Sequence, residues 1–276
     1  MTDVLDGVRE HYRATGLTAR LKTALAPLGP EEQRLTPQQL AALDQFHTRG
    51  LLATAELAKL AGVAAGMSVL DVGSGVGGPA RFLAATSGCN VTGVDISEPF
   101  VEAARYLTDR TGQGGQVSFQ SGSALELPFA DGRFDVVLLQ HVAMNIADRA
   151  ALYREIHRVL KPGGRFATYD VVMKGGDPHY PVPWARTPAT SFLLTAEATR
   201  AAIEPAGFRT LVFQDDSETA AAWFAQVRAS GPPPSPNLGV VMGPDFAQLS
   251  LNLGRNIAEG RIGILTAVFE AVPAKG

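Results

Sequence analysis

The chain has 276 residues, 46% of them hydrophobic, and a net charge of −3, which suits one α/β domain with a lid. This mildly acidic balance, with no basic run, argues against nucleic acid as a partner. No stretch approaches the ~18 apolar residues of a membrane span, and Asp3, Asp6 and Glu10 interrupt any signal-type core. The single cysteine, Cys89, precludes an internal disulfide, as expected of a cytoplasmic chain.

Residues 1–64 read as an N-terminal helical cap. Thr36-Pro37 supplies an N-cap and a first-turn proline, and 51–62 is apolar at helical spacing and ends on Gly62. The next stretch, Val69-Leu70-Asp71-Val72-Gly73-Ser74-Gly75-Val76-Gly77-Gly78, is an apolar run that meets an acid and then four glycines in six residues. It reads as strand, tight turn and helix N-terminus, with glycines wherever a Cβ would occupy a ligand's space. Gly73-x-Gly75-x-x-Gly78 also fits the dinucleotide pattern.

A second strand ends at Asp95, 17 residues after Gly78, placed to accept both ribose hydroxyls of an adenosine, whether in a nicotinamide cofactor or in S-adenosylmethionine. Asp71 separates the two. A carboxylate two residues before the first glycine repels a pyrophosphate but tolerates a sulfonium and an ammonium.

Further strands are expected near 117–120, 134–140 and 164–171, with helices near 77–87, 98–111, 148–160 and 195–206. This alternation implies βαβ units, with helices on both faces of a mostly parallel sheet. Ligands of such a sheet bind beyond the strand C-termini, where Gly73 to Gly78, Asp95, Ser123 and His141 would converge. Residues 208–214 and 262–270 read as the last two strands. The long insertion between them contains Gly231-Pro232-Pro233-Pro234-Ser235-Pro236, a rigid turn or polyproline segment, and is expected to form helices. Lid insertions are thus expected near 174–195 and 215–260 of a domain spanning 65–276.

Taken with Gly122-Ser123-Ala124, Phe134 to His141 and Lys161-Pro162-Gly163-Gly164, these motifs resemble, over about 66–214, the class I S-adenosylmethionine-dependent methyltransferases. Asp71 to Leu83, Asp95-Ile96-Ser97, Met144-Asn145-Ile146 and Lys161-Pro162-Gly163-Gly164 are similar to the glycine, sarcosine and dimethylglycine N-methyltransferases, and to the ubiquinone/menaquinone C-methyltransferases. The resemblance implies a Rossmann-like seven-stranded sheet with an antiparallel edge hairpin, and S-adenosylmethionine as the cofactor, with no metal.

On this resemblance Gly73, Ser74, Gly75 and Gly77 form the cofactor loop, Asp71 faces the methionine end, Asp95 takes the ribose and Ile96 packs on the adenine. Ser123 is a departure, because many relatives carry aspartate there; the backbone at Ala124 then shares the adenine edge. Gln140 and His141 end the fourth strand, His141 serving as a base or packing beside the cofactor. A base there is expected to titrate in the ordinary histidine range. His47 is read chiefly as a helix-surface residue, while Tyr169, His179, Tyr180 and Trp184 line an acceptor pocket or pack their loop down.

The implied activity is methylation of a small molecule, with an amine ranked slightly ahead of oxygen or carbon, by a monomer or homodimer. The alternatives are a cofactor-binding protein with a non-methylating role, such as cyclisation or sensing, and a nicotinamide-dependent oxidoreductase. Asp71 and Lys161-Pro162-Gly163-Gly164 disfavour the oxidoreductase.

Overall fold

A computed structural model describes residues 15–231 and 236–272. The N-terminal acids, and 232–235 of the proline run, lie outside the described residues.

Seven strands form one sheet: β1 (Ser68–Val72), β2 (Asn90–Asp95), β3 (Val117–Ser121), β4 (Phe134–Gln140), β5 (Leu160–Met173), β6 (Phe208–Asp215) and β7 (Ile262–Ala271). Their order is β3-β2-β1-β4-β5-β7-β6. The first five run parallel, while β7 is antiparallel to both β5 and β6, which supplies the antiparallel edge. The period-two alternation of strand side chains divides the core between the two faces. Val69, Leu138 and Ala167 point into one buried cluster, and Leu70, Val137 and Phe166 into the other.

The order reverses between β1 and β4, a switch point where a crevice opens beyond the strand ends. Register aligns what borders it. Val72 pairs with both Val94 and Leu139, so Gly73, Asp95 and Gln140 each lie one residue past the same row.

Ahead of the sheet lie α1 (Leu17–Leu25) and α2 (Pro37–Asp44), in an outer layer, and the first face is covered by α3 (Leu51–Ala61), α4 (Gly78–Ser87) and α5 (Glu98–Thr111). Leu17, Leu21 and Leu25 of α1 recur every four residues and pack against Phe100, Ala103 and Leu107 of α5. Thr36 and Gln39 form a capping box at the start of α2, and α3 ends on Gly62 in the left-handed conformation. On the second face lie α6 (Arg149–Val159) and α7 (Ala196–Ile203). The helix expected over 195–206 is shorter: a 3₁₀ turn, Glu204–Ala206, takes over, because Pro205 has no N–H to continue the α-helix. The fifth strand is longer than expected, because Leu160 already pairs with Phe134 ahead of a register shift.

The insertion between β6 and β7 folds as α8 (Ser217–Ala229), α9 (Gly239–Met242) and α10 (Phe246–Ala258). In α10, Leu249, Leu253 and Ile257 make one buried stripe. Among the described residues, no helix is long and apolar enough to cross a membrane.

Candidate active site

The turn after β1 is built from left-handed glycines, with φ of 71° at Gly73, 53° at Gly75 and 80° at Gly77, a conformation costly for other residues. Added Cβ atoms would also meet the protein itself. They would lie 2.4 Å from Val142 Cγ2, 2.7 Å from Phe46 Cε2 and 2.3 Å from Phe119 Cζ, respectively. This adds a second reason for the glycines: they let neighbouring elements close over the loop. A Cβ on Gly78 would lie 2.2 Å from the Asp44 carbonyl oxygen, so the end of α2 rests on the turn. A buried Arg81–Asp44 ion pair of 2.8 Å fastens it there, and Arg81 also donates to the Val76 carbonyl.

Two acids border the crevice. Asp95 accepts from the Gly75 N–H at 2.8 Å through Oδ2 and from the Ser97 N–H at 2.9 Å through Oδ1, which fixes its plane. Asp71 is only 2% exposed, and its Oδ2 has no partner among the described residues. Burial first, then the charge of Asp95, pushes its carboxyl up to about 7, with Arg81 pulling the other way. An unpaired buried carboxylate of this kind suits a cationic ligand group.

Gln140 ends β4. Its Oε1 accepts from Thr54 Oγ1 at 3.3 Å, while its buried Nε2 lacks a partner. His141 follows with a left-handed backbone, φ 54°, held by its N–H to the Tyr169 carbonyl at 2.9 Å. The turn beyond it is tied down by buried Asp170, which accepts from the Ala143 N–H at 2.8 Å. The His141 imidazole stacks on Tyr169, with centroids 5.6 Å apart and planes at 10°, and its Nε2 lies 3.5 Å from Thr48 Oγ1. Burial, and secondarily His47, holds its pKa well below the ordinary histidine range, so the ring is neutral at pH 7. The expectation of ordinary titration is corrected accordingly.

His47 is not a helix-surface residue. It lies between α2 and α3, buried 6.1 Å from the His141 ring, and desolvation pushes it down to about 4. Thr48 links the two segments through a 2.9 Å hydrogen bond to Tyr169 Oη.

At the far rim of the crevice, Ile96, Ser123 and Ala124 all border the cavity. Ser123 Oγ accepts from the Leu125 N–H at 3.2 Å. Ser74 also borders it, with its N–H given to the Val94 carbonyl and its Oγ buried without a partner. Of the loop aromatics, Trp184 lines the cavity. His179 instead pairs with Glu259 at 2.7 Å, and Tyr180 packs against the core.

These parts enclose one cavity of about 1130 Å³. Its other wall comes from residues that sequence reasoning did not name: Phe46 from the cap, Trp223 and Phe224 from α8, Leu238, Met242 of α9 and Phe246 of α10. The adjacent aromatics Trp223 and Phe224 in a helical insertion were the available signal.

Among known proteins, the family described as Methyltransferase domain matches residues 70–168. The chain is 34% identical to Methyltransferase GfsG of Streptomyces halstedii over 208 residues, covering 73% of this chain and 72% of that one. A sterol 24-C-methyltransferase of Eremothecium gossypii is 41% identical over 117 residues, 42% of this chain but only 31% of its own length. Among solved structures, the cyclase SpnF matches with a TM-score of 0.66 at 22% identity, covering 87% of this chain and 98% of that one, a likeness of fold.

Proposed function

The chain belongs to the class I S-adenosylmethionine-dependent methyltransferases, and from that membership we propose which residues hold the cofactor and which serve a small-molecule acceptor. Asp95 takes the ribose. It accepts the Gly75 and Ser97 amides through separate oxygens, with Ile96 a further backbone donor, and a carboxylate's roughly four lone-pair sites leave acceptor capacity for the ribose. Ile96 packs on the adenine, with Ser123 and the Ala124 backbone along its edge. The Gly73, Ser74, Gly75 and Gly77 turn lets the cofactor lie against the backbone.

The observation that carries this reading is a complementary pair beside that turn. Asp71 keeps an unpaired acceptor and Gln140 an unpaired donor, both buried at the cavity. The amino-acid end of S-adenosylmethionine brings an ammonium for the first and a carboxylate for the second. When bound, the cofactor supplies an electrophilic methyl on a sulfonium. The protein then contributes alignment and exclusion of water, the latter through α2 and the α8 to α10 lid. A hydroxyl or acidic carbon acceptor would give its proton to neutral His141, whereas an amine needs only to arrive neutral.

Non-methylating chemistry, such as cyclisation, is supported by likeness of fold alone, while membership in the family favours methylation. Mass spectrometry of candidate acceptors incubated with labelled cofactor should find a product carrying the labelled methyl. An acceptor converted without it would support the cyclase reading.

The adenine edge makes a smaller prediction. Ser123→Ala should weaken cofactor binding by about 0.5–1.5 kcal/mol, one neutral hydrogen bond. Ser123→Asp should keep or tighten it, because one carboxylate oxygen can cap Leu125 while the other stays free. Calorimetry showing no change in Ser123→Ala removes the residue from the site.

A further inference from the structure

Among the described residues, the cavity wall carries four carboxylates, Asp71, Asp95, Asp148 and Asp44, the last already paired with Arg81, and no lysine or arginine. Three arginines near lining residues are committed elsewhere, while Arg228, beside the lining Val227, is exposed. Arg49 makes two bonds to Glu56 at 2.7 and 2.8 Å, and Arg186 pairs with Asp245 at 2.8 Å. Arg149 is spent on the Ile146 and Phe192 carbonyls. The lid side is mostly apolar, walled by Trp184, Trp223, Phe224, Leu238, Met242 and Phe246 with Asn237 and Ser250 among them.

We infer that the methyl acceptor is a largely apolar molecule bearing no carboxylate, phosphate or sulfate. This rests on the proposed function above. An anion pushed against the apolar lid side would lose its hydration with no cation in the wall to replace it. An amino acid such as glycine, the acceptor named in the resembled N-methyltransferases, fails on that ground. An apolar body gains from the lid in proportion to the area it buries. The volume of about 1130 Å³ exceeds the roughly 300–1,000 Å³ typical of a site for one drug-sized ligand, leaving room beside the cofactor.

The test uses the full chain saturated with S-adenosylhomocysteine and follows displacement of the neutral dye Nile red by dodecan-1-ol or dodecanoate. Dodecan-1-ol should displace the dye at a concentration at least about tenfold lower. Dodecanoate is also the less apolar probe, so a charge installed in the wall isolates the cause. Leu238→Lys should improve dodecanoate at least about tenfold and weaken dodecan-1-ol. Equal or better displacement by dodecanoate from the unmodified chain overturns the inference. So does a Leu238→Lys protein that binds S-adenosylhomocysteine normally yet gains nothing for dodecanoate. Calorimetry of S-adenosylhomocysteine reports separately on the cofactor site. Failure there defeats the cofactor reading, whereas equal displacement with the cofactor product bound defeats only the acceptor class.

Discussion

Asp95→Ala should weaken binding of S-adenosylmethionine by roughly 3–6 kcal/mol, about 10²–10⁴-fold, through loss of two charge-assisted hydrogen bonds. The carboxylate has a double task, because it also accepts from the Gly75 and Ser97 amides at 2.8 and 2.9 Å. Removing it unfastens the glycine turn as well as the ribose. Asp95→Asn separates the two: its amide keeps one accepting oxygen and nearly the same shape, so the turn should hold and the loss should be intermediate. Calorimetry on both variants reads the result directly. Unchanged affinity in Asp95→Ala would remove Asp95 from the cofactor site.

The largest expected effect on turnover is at His141. If its imidazole takes the acceptor's proton, His141→Ala should lower turnover by about 10²–10⁴-fold with affinity for S-adenosylmethionine nearly intact. Alanine bears the same left-handed backbone cost as histidine at φ 54°, so the turn should survive the change. Because burial keeps His141 well below the ordinary histidine range, the base is already neutral at pH 7. The histidine limb of the profile therefore lies on the acid side, with turnover rising as pH climbs through that lowered value and flat above it. The limb should vanish in the variant. A pH limb that persists in His141→Ala belongs to the acceptor, as for an amine, and full activity rules out the base.

Much of this site was legible before any coordinates, because its parts are local. Strand, glycine turn and helix from Ser68 to Ser87 follow from hydrophobic pattern and glycine spacing, and Asp95 and Gln140 are placed by the ends of their strands. What eluded sequence reading depends on contacts between distant segments. His47 meets His141 across 94 residues of chain, a contact that sequence alone does not signal. The apolar wall likewise joins Phe46, Trp184, Trp223 and Phe246, separated by up to 200 residues. The glycines were recognised for a reason that proved incomplete. Val142, Phe46 and Phe119 crowd them, and those neighbours arrive from three other elements.

The central claim is that Asp71 receives the ammonium end of the cofactor, and calorimetric titration with S-adenosylhomocysteine between pH 5 and 7 (a window set by the carboxyl's shift up to about 7) tests it most directly. A cationic partner favours the carboxylate, so binding must expel the proton that Asp71 holds at lower pH. Wild-type affinity should therefore fall as pH drops below 7, approaching about tenfold per pH unit for one proton, and Asp71→Asn should bind more weakly at pH 7 and lose that slope. Equal slopes in the two proteins, or a flat wild-type profile, would contradict the assignment.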